Sequence, residues 1–227
     1  MSERVVLPRR RALRLLAATP LALAGCGEAV RALDAGVAAP DAGAGGADAA
    51  VCRPSGRDAL GPFFEEGSPM RMVIAAPDEA GERLLVEGSL LDAADCARPL
   101  AGYVIDVWQA DVDGNYHAAG ASGHRLRGRI ATGADGRFAL ETIKPGFYET
   151  GAGPRPAHLH LRVYAPDGGD RLVTQVYFAG DAFLGAADSC GPPTCFSNDP
   201  DRIMTLEPAR VGGRDGLRGA LRLVVAA

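Results

Sequence analysis

Eight short stretches of β-type sequence, separated by turn residues, constrain this chain more than any other feature. Each is rich in aliphatic, β-branched or aromatic residues, and most are bounded by Gly, Pro, Asp or Ala. The stretches are RLLVEGSLLDA, GYVIDVWQA, RLRGRIAT, GRFALETI, HLHLRVYA, RLVTQVYF, RIMTLE and GALRLVVA. Helical periodicity is almost absent. The pattern predicts one all-β domain over residues 57–227, an antiparallel β-sandwich with long loops.

The first 25 residues have the features of an export signal. The basic stretch PRRRALR precedes LLAATPLALAG, an apolar run too short to span a bilayer as a conventional helix. Leu23-Ala24-Gly25-Cys26 resembles a bacterial lipobox, so we expect a lipid on Cys26 that anchors an exported protein to the cell envelope. A simple small-residue cleavage site is the alternative for Cys26. The pair Arg10-Arg11 is typical of a twin-arginine signal, and an ordinary Sec-type basic region is the alternative there.

Residues 26–56 are dominated by Ala, Gly and Asp and have little apolar surface to bury. This composition predicts a flexible tether between the anchor and the folded domain. The whole chain has a formal net charge of −4, and residues 1–25 carry five arginines and one acid, which leaves −8 for the rest. That balance argues against nucleic acid or an anionic membrane surface as a partner. Membrane contact is therefore expected only through the lipid on Cys26.

Four cysteines remain if Cys26 is acylated, and an even number in an oxidising compartment indicates disulfides. Four cysteines allow three pairings. Proximity favours Cys190 with Cys195, in CGPPTC, and elimination then leaves Cys52 with Cys96. A zinc half-site in CGPPTC is the competing interpretation, but the chain has no second half-site of matching spacing.

His158 and His160 lie two residues apart at the start of the run HLHLRVYA. Successive side chains of a strand point to opposite faces, so both imidazoles would project from the same side. Such a pair can hold a metal ion, but it is equally compatible with two polar residues on the wet face of a half-buried strand. The pair needs further ligands before it predicts a metal site.

Tyrosine is the residue type that supplies further candidate ligands. Of the five tyrosines, Tyr116 and Tyr148 follow glycine-containing turns, where a phenol is less often core filling. At this point the sequence resembles the intradiol ring-cleavage dioxygenases, the family of protocatechuate 3,4-dioxygenase and catechol 1,2-dioxygenase. The matching blocks occur in the family's order: GPFFEEGSP, LAGYVIDVWQADVDGNY, GADGRFALETIKPGFY, RPAHLHLRV and LVTQVYFAGD. They cover most of residues 61–181.

The resemblance implies a non-haem Fe(III) ion held by the phenolates of Tyr116 and Tyr148 and the imidazoles of His158 and His160. It implies cleavage of a catechol-type diol by O₂ to a cis,cis-muconate-type diacid, a reaction of aromatic compound catabolism. Tyr148 would be the ligand that the diol displaces, and Arg155 would stabilise charge on the reacting ring. Gln175 matches a polar position next to this group. A surface salt bridge for Arg155 and plain strand polarity for Gln175 are the alternatives.

Two other functions remain open from the sequence. The first is a non-enzymatic, surface-anchored β-sandwich binding module on which the two histidines are inert. The second is a zinc hydrolase that uses His158, His160 and either His117 or His124. We expect His117 and His124 to face solvent, with His117 pointing away from Tyr116, and we expect Trp108 to lie in the core.

Overall fold

The computed structural model describes residues 52–118, 120 and 123–227. The predicted export signal, Cys26 and residues 27–51 of the predicted tether lie outside the described residues. In the described part of the chain, no helix is long and apolar enough to cross a membrane.

The described residues form eleven strands joined by turns and two single-turn 3₁₀ helices. All eight predicted stretches contain strands, but RIMTLE divides into two, and a short hairpin after Pro145 was not predicted. The strands are β1 Arg83–Asp92, β2 Val104–Gln109, β3 Arg127–Ala131, β4 Arg137–Ile143, β5 Tyr148–Thr150, β6 Gly153–Arg155, β7 His158–Tyr164, β8 Asp170–Phe178, β9 Ile203–Met204, β10 Leu206–Val211 and β11 Arg214–Val225. The 3₁₀ turns are Gly185–Ala187 and Pro200–Arg202.

The strands form two main sheets and one small hairpin. The four-stranded sheet has the order β10-β11-β1-β4, the five-stranded sheet has the order β3-β2-β7-β8-β9, and β5 pairs with β6 alone. The all-β prediction is confirmed, with one refinement. Most strand pairs are antiparallel, but β1 is parallel to β11 and β8 is parallel to β9, so both main sheets are mixed.

The core lies between the two main sheets. It receives Leu84 and Val86 from β1, Ile105 from β2, and Leu159 and Leu161 from β7. Because side chains alternate along a strand, His158 and His160 point to the opposite face of the five-stranded sheet from Leu159 and Leu161. That face is covered as well, because the first five residues of β7 include four that are fully buried. The histidine face of β7 is therefore enclosed by protein.

The segment just before the first strand is attached to the sandwich. Cys52 is bonded to Cys96, and the backbone N–H of Ser55 donates to the carbonyl oxygen of Val224 at 2.8 Å. The second disulfide joins Cys190 to Cys195, so both predicted pairings are confirmed. Residues 52–56, which the sequence assigns to the tether, are thus bonded to the domain, which extends at least five residues beyond the predicted boundary.

Candidate metal centre

β7 places His158 and His160 side by side on the enclosed face of the five-stranded sheet. Their Nε2 atoms are 3.1 Å apart, and both residues are buried. His158 Nδ1 lies 2.6 Å from the carbonyl oxygen of Pro156, which requires a proton on Nδ1 and leaves the lone pair on Nε2. Burial lowers the pKa of His158 to about 3, helped by the charge of Arg155. Burial also lowers the pKa of His160 well below its usual value. Both imidazoles are neutral, as metal ligands must be.

Tyr116 reaches the two histidines from the turn after β2. The carboxylate of Asp111 accepts hydrogen bonds from the backbone N–H groups of Asp113 and Asn115, at 3.0 and 2.9 Å, and so shapes this turn. Gly114 has a φ of 83°, and a Cβ there would meet the carbonyl oxygen of Phe147 at 2.2 Å, so only glycine fits. The Tyr116 hydroxyl then lies 3.1 Å from His160 Nε2 and 3.3 Å from His158 Nε2.

Tyr148 joins the group from the hairpin β5–β6. Its ring centroid is 5.6 Å from that of Tyr116, edge to face, and 5.7 Å from that of His158. Across the hairpin it pairs with Arg155. Burial raises the pKa of the Tyr148 phenol, while the charge of Arg155 and a hydrogen bond from it act in the opposite direction. Tyr148 is half-buried, so its ring also borders open space.

Two aromatic side chains outside the four candidate ligands support the group. Phe63 stacks on Tyr116 with ring centroids 4.1 Å apart, and Trp108 stacks on His160 with centroids 4.8 Å apart. Trp108 is buried, as predicted, but it also holds one of the candidate ligands. Arg127 of β3 donates to the carbonyl oxygens of Phe63 and His117, and so ties together the two loops that cover the site.

Arg155 is held in the interior by several partners. Its Nε donates to a carboxylate oxygen of Asp188 at 2.7 Å, and its Nη2 donates to Gln175 Oε1 at 2.8 Å and to the Tyr177 hydroxyl at 3.4 Å. Arg155 is 5% exposed and Gln175 is fully buried. The alternative of a surface salt bridge for Arg155 is therefore wrong, because its ion pair with Asp188 lies in the interior. Asp188 and Tyr177 were missed, because a lone acid in a loop and a strand tyrosine carry no distinguishing pattern.

A cavity of about 400 Å³ opens beside the group. Its lining includes Phe63, Tyr148, Arg155, Ser189 and Cys190. The volume is sufficient for a ligand of one aromatic ring. A ligand bound in this cavity would lie against both Tyr148 and Arg155.

The remaining two histidines lie elsewhere. His117 is half-buried, and its Nε2 lies 2.8 Å from Asp111 Oδ2, so the prediction that it faces solvent is wrong. The buried carboxylate of Asp111, at the start of the turn, holds the His117 ring. His124 is only partly exposed, at a position with a φ of 60°. In the described residues, no group of three or more His, Cys, Asp or Glu side chains is arranged to hold a metal ion, so the third ligand that the zinc-hydrolase hypothesis needs is not brought to the pair.

The donor set fits a trivalent metal ion. Ligand atoms held ~2.1 Å from one ion at right angles lie ~3 Å apart, and the three facing atoms of Tyr116, His158 and His160 are 3.1 to 3.3 Å apart. Burial raises the pKa of Tyr116 above its usual range, so this phenol needs a strong cation to lose its proton. Hard phenolate oxygens and neutral imidazoles are ligands that suit Fe(III).

Comparison with known proteins places this arrangement in a family. A family model described as "Dioxygenase" matches residues 61–191, a range that is more than half of the chain and includes all four candidate ligands. Its curated relatives include a chlorocatechol 1,2-dioxygenase of Rhodococcus opacus, 39% identical over 153 residues. The chain belongs to the intradiol dioxygenase family. A second relative, a protocatechuate 3,4-dioxygenase beta chain of Burkholderia cepacia, is 36% identical to this dioxygenase family member over 139 residues. The aligned regions cover 57% of this chain and 57 to 58% of those two relatives, so the chain matches little more than half of their length.

Solved structures of the family have the same fold. The dioxygenase domain of a dioxygenase and carbohydrate-binding protein fusion from Streptomyces sp. SirexAA-E superimposes with a TM-score of 0.62 at 32% identity, over 77% of this chain and 99% of that one. The 3-chlorocatechol 1,2-dioxygenase of Rhodococcus opacus 1CP superimposes with a TM-score of 0.66 at 26% identity, over 77% and 73%.

Proposed function

We propose that this intradiol dioxygenase family member is an Fe(III) enzyme that cleaves a catechol-type diol with O₂ to a muconate-type diacid. The observation that carries the proposal is the close triangle of the Tyr116 hydroxyl and the Nε2 atoms of His158 and His160. Relatives named as chlorocatechol and hydroxyquinol 1,2-dioxygenases support the same reaction class. Tyr116, Tyr148, His158 and His160 would hold a ferric ion there, and this ion would supply the Lewis acidity that makes the ring of a bound diol reactive toward O₂.

The two tyrosines have different environments, which suits different tasks. Tyr116 stacks on Phe63, and its hydroxyl lies within 3.3 Å of both histidine Nε2 atoms. Tyr148 is half-buried and lines the cavity, so its phenolate can swing away and accept the proton of an incoming diol hydroxyl. The guanidinium of Arg155 lies at the same wall, where it stabilises negative charge on the ring oxygens of the bound diol. The enclosing loops keep water from these charges.

Oxygen uptake tests the proposal. Purified protein loaded with iron should consume O₂ when catechol is added and release a ring-opened diacid, identified by mass spectrometry. His160→Ala should abolish uptake, whereas His124→Ala, a matched change outside the triangle, should retain it. Iron-loaded wild-type protein that consumes no O₂ with catechol or with chloro- and hydroxy-substituted catechols would refute the enzyme and favour the binding module.

We also propose that the protein is exported and held at the cell envelope by a lipid on Cys26. The lipobox-like sequence before Cys26 and the two disulfides of the described domain support this, because disulfides persist in oxidising compartments. Cells fed radiolabelled palmitate should yield a labelled membrane-bound protein, and Cys26→Ala should remove both the label and the membrane association. An unlabelled wild-type protein in the cytosolic fraction would contradict the export proposal without affecting the enzyme.

A further inference from the structure

A loop closed by a disulfide packs against the hairpin that carries Tyr148 and Arg155. We call residues 188–195 the disulfide loop, since Cys190 and Cys195 are bonded near its two ends. The backbone N–H of Ser189 donates to the carbonyl oxygen of Pro154 at 2.8 Å, and its hydroxyl lies 3.1 Å from that of Thr150. The loop is thus attached to both strands of the hairpin.

Asp188, at the start of the disulfide loop, faces inward. Its side chain is fully buried, and Oδ1 accepts hydrogen bonds from Arg155 Nε at 2.7 Å and from the backbone N–H of Cys190 at 2.9 Å. A carboxylate without access to water is costly unless it is paired, and Arg155 supplies the pairing cation. Asp188 Oδ2 has no hydrogen-bond partner within the described residues. The ion pair between Arg155 and Asp188 therefore depends on the single contact to Oδ1.

The contacts of Arg155 fix its guanidinium plane. Asp188 accepts a hydrogen bond from Nε, and Gln175 accepts one from Nη2, so two nitrogen atoms of the guanidinium plane are held. Without the first contact, the arginine side chain would regain rotamer freedom, because only its Nη2 contacts would remain. Ser189 and Cys190 line the same cavity, so the loop shapes this wall while its first residue orients the cation.

We propose that Asp188 is a positioning residue for Arg155 and that the Cys190–Cys195 disulfide keeps Asp188 in place. This inference rests on the proposed function for its kinetic consequences, since Arg155 is there the group that contacts the substrate. It assigns a catalytic contribution to a loop that touches none of the four candidate metal ligands through a hydrogen bond in the described residues.

The first test is Asp188→Asn, which keeps the shape and removes the charge. We expect kcat for catechol to fall ~10- to 100-fold, with a smaller change in KM, as is typical when a supporting contact of an active-site group is lost. The Nε–H signal of Arg155 in an NMR spectrum of arginine-labelled protein should move, because its charged acceptor is gone. Adding Arg155→Lys should cost no more than Arg155→Lys alone, since both act through one group.

Asp199→Asn is the matched control. Asp199 also pairs with an arginine Nε, that of Arg202, at 3.0 Å, but it does not line the cavity. This variant should keep kcat/KM within about 2-fold. If Asp188→Asn likewise stays within about 2-fold and leaves the Arg155 signal unmoved, the positioning role is wrong.

The second test compares the two disulfides and applies even if Asp188→Asn fails to fold. The double variant Cys190→Ala/Cys195→Ala should lower kcat/KM ~10-fold or more and shift the Arg155 signal. Cys52→Ala/Cys96→Ala should lower the melting temperature more, because it opens a longer loop, yet leave kcat/KM within about 2-fold. Equal kcat/KM values in the two double variants would overturn the proposal. The NMR signal needs no turnover, so it decides the positioning role even if the wild-type protein cleaves no catechol.

Discussion

His160 has little freedom to move. Trp108 stacks on one side of its ring, and the backbone of Gly61 approaches from the GPFF loop, where an added Cβ would lie 3.0 Å from His160 Cε1. Gly61 also has a φ of 75°, which a residue with a side chain adopts at a cost. The position of this candidate ligand therefore depends on a glycine 99 residues away in sequence.

Gly61→Ala should weaken metal binding more than it weakens the fold. The strained φ should cost about 1 kcal/mol of stability, and displacement of His160 should lower iron affinity ~10-fold. Gly67→Ala is the control, because Gly67 has a φ of 84° but an added Cβ there would meet no atom of the described residues within 4 Å. Thermal unfolding and iron titration of both variants separate the two effects. Equal iron affinity in the two variants would contradict the contact with His160.

Asp106 is a buried acid on the same face of the sheet, further from the site. Its Oδ1 has no hydrogen-bond partner in the part of the chain that the structure describes. Burial raises its pKa to about 6, although a hydrogen bond from Ser68 and the charges of Arg129, Arg127 and Arg162 oppose the rise. The folded protein thus holds a proton on Asp106 at a pH where the unfolded chain does not.

Asp106→Asn should stabilise the protein at neutral pH. Below about pH 4 Asp106 is protonated in both the folded and the unfolded chain, so its raised pKa does not change the free energy of unfolding. As the pH rises to about 6 and above, the acid ionises more readily in the unfolded chain, and the folded state is destabilised. The asparagine variant should therefore exceed the wild type by about 1 to 2 kcal/mol at pH 7 to 8. The advantage should shrink toward zero near pH 4. Urea unfolding at several pH values measures it, and a difference independent of pH would exclude this titration.

At the residue scale, the sequence predicted the site residues that lie within recognisable sequence motifs. The ordered blocks indicated Tyr116, Tyr148, Arg155 and Gln175, and the structure brings all of them to the two histidines. Asp188 could not be predicted, because its role comes from contact with a residue 33 positions away across a loop of irregular backbone. Local spacing contains no information about such a contact.

At the scale of elements, alternation and turn residues predicted the strands but not all of their pairings. β1 and β11 align in parallel over ten residue pairs, from Arg83 with Gly216 to Asp92 with Val225. A parallel partner is joined through a long connection, so no turn sequence indicates it. The hairpin β5–β6 was missed because each strand has only three residues, too few for alternation to be visible.

The pair β1 and β4 contains a complementary contact that can be tested. Gly88 lies opposite Phe138, and a Cβ on Gly88 would be 2.1 Å from the phenylalanine ring. Gly88→Ala should therefore destabilise the domain by about 2 kcal/mol. Adding Phe138→Leu, which removes the ring edge, should make the cost of the alanine smaller in a double-mutant cycle.

Iron binding is the internal control for this pair, because the contact lies in the sheet that carries none of the candidate ligands. Gly88→Ala protein that is still folded should bind iron like the wild type. A melting temperature unchanged by Gly88→Ala would show that the ring does not occupy the space above the glycine.

At the scale of the whole molecule, the two sheets have separate tasks. The four-stranded sheet supplies one side of the core, and the five-stranded sheet supplies the other side and also holds the candidate site on its opposite face. The donors come from the turn after β2, from β5 and from β7, so the site exists only when these segments are assembled. Metal binding should consequently be coupled to the stability of the entire domain.

The central claim is that the phenolates of Tyr116 and Tyr148 and the imidazoles of His158 and His160 bind ferric iron. The visible absorption spectrum of the iron-loaded protein tests it most directly, because charge transfer from tyrosinate to Fe(III) gives a red colour that imidazole and carboxylate ligands do not. We predict a broad visible band that shifts in Tyr148→Phe and is unchanged in His124→Ala. A folded protein that carries a full equivalent of iron and shows no visible band would contradict the claim.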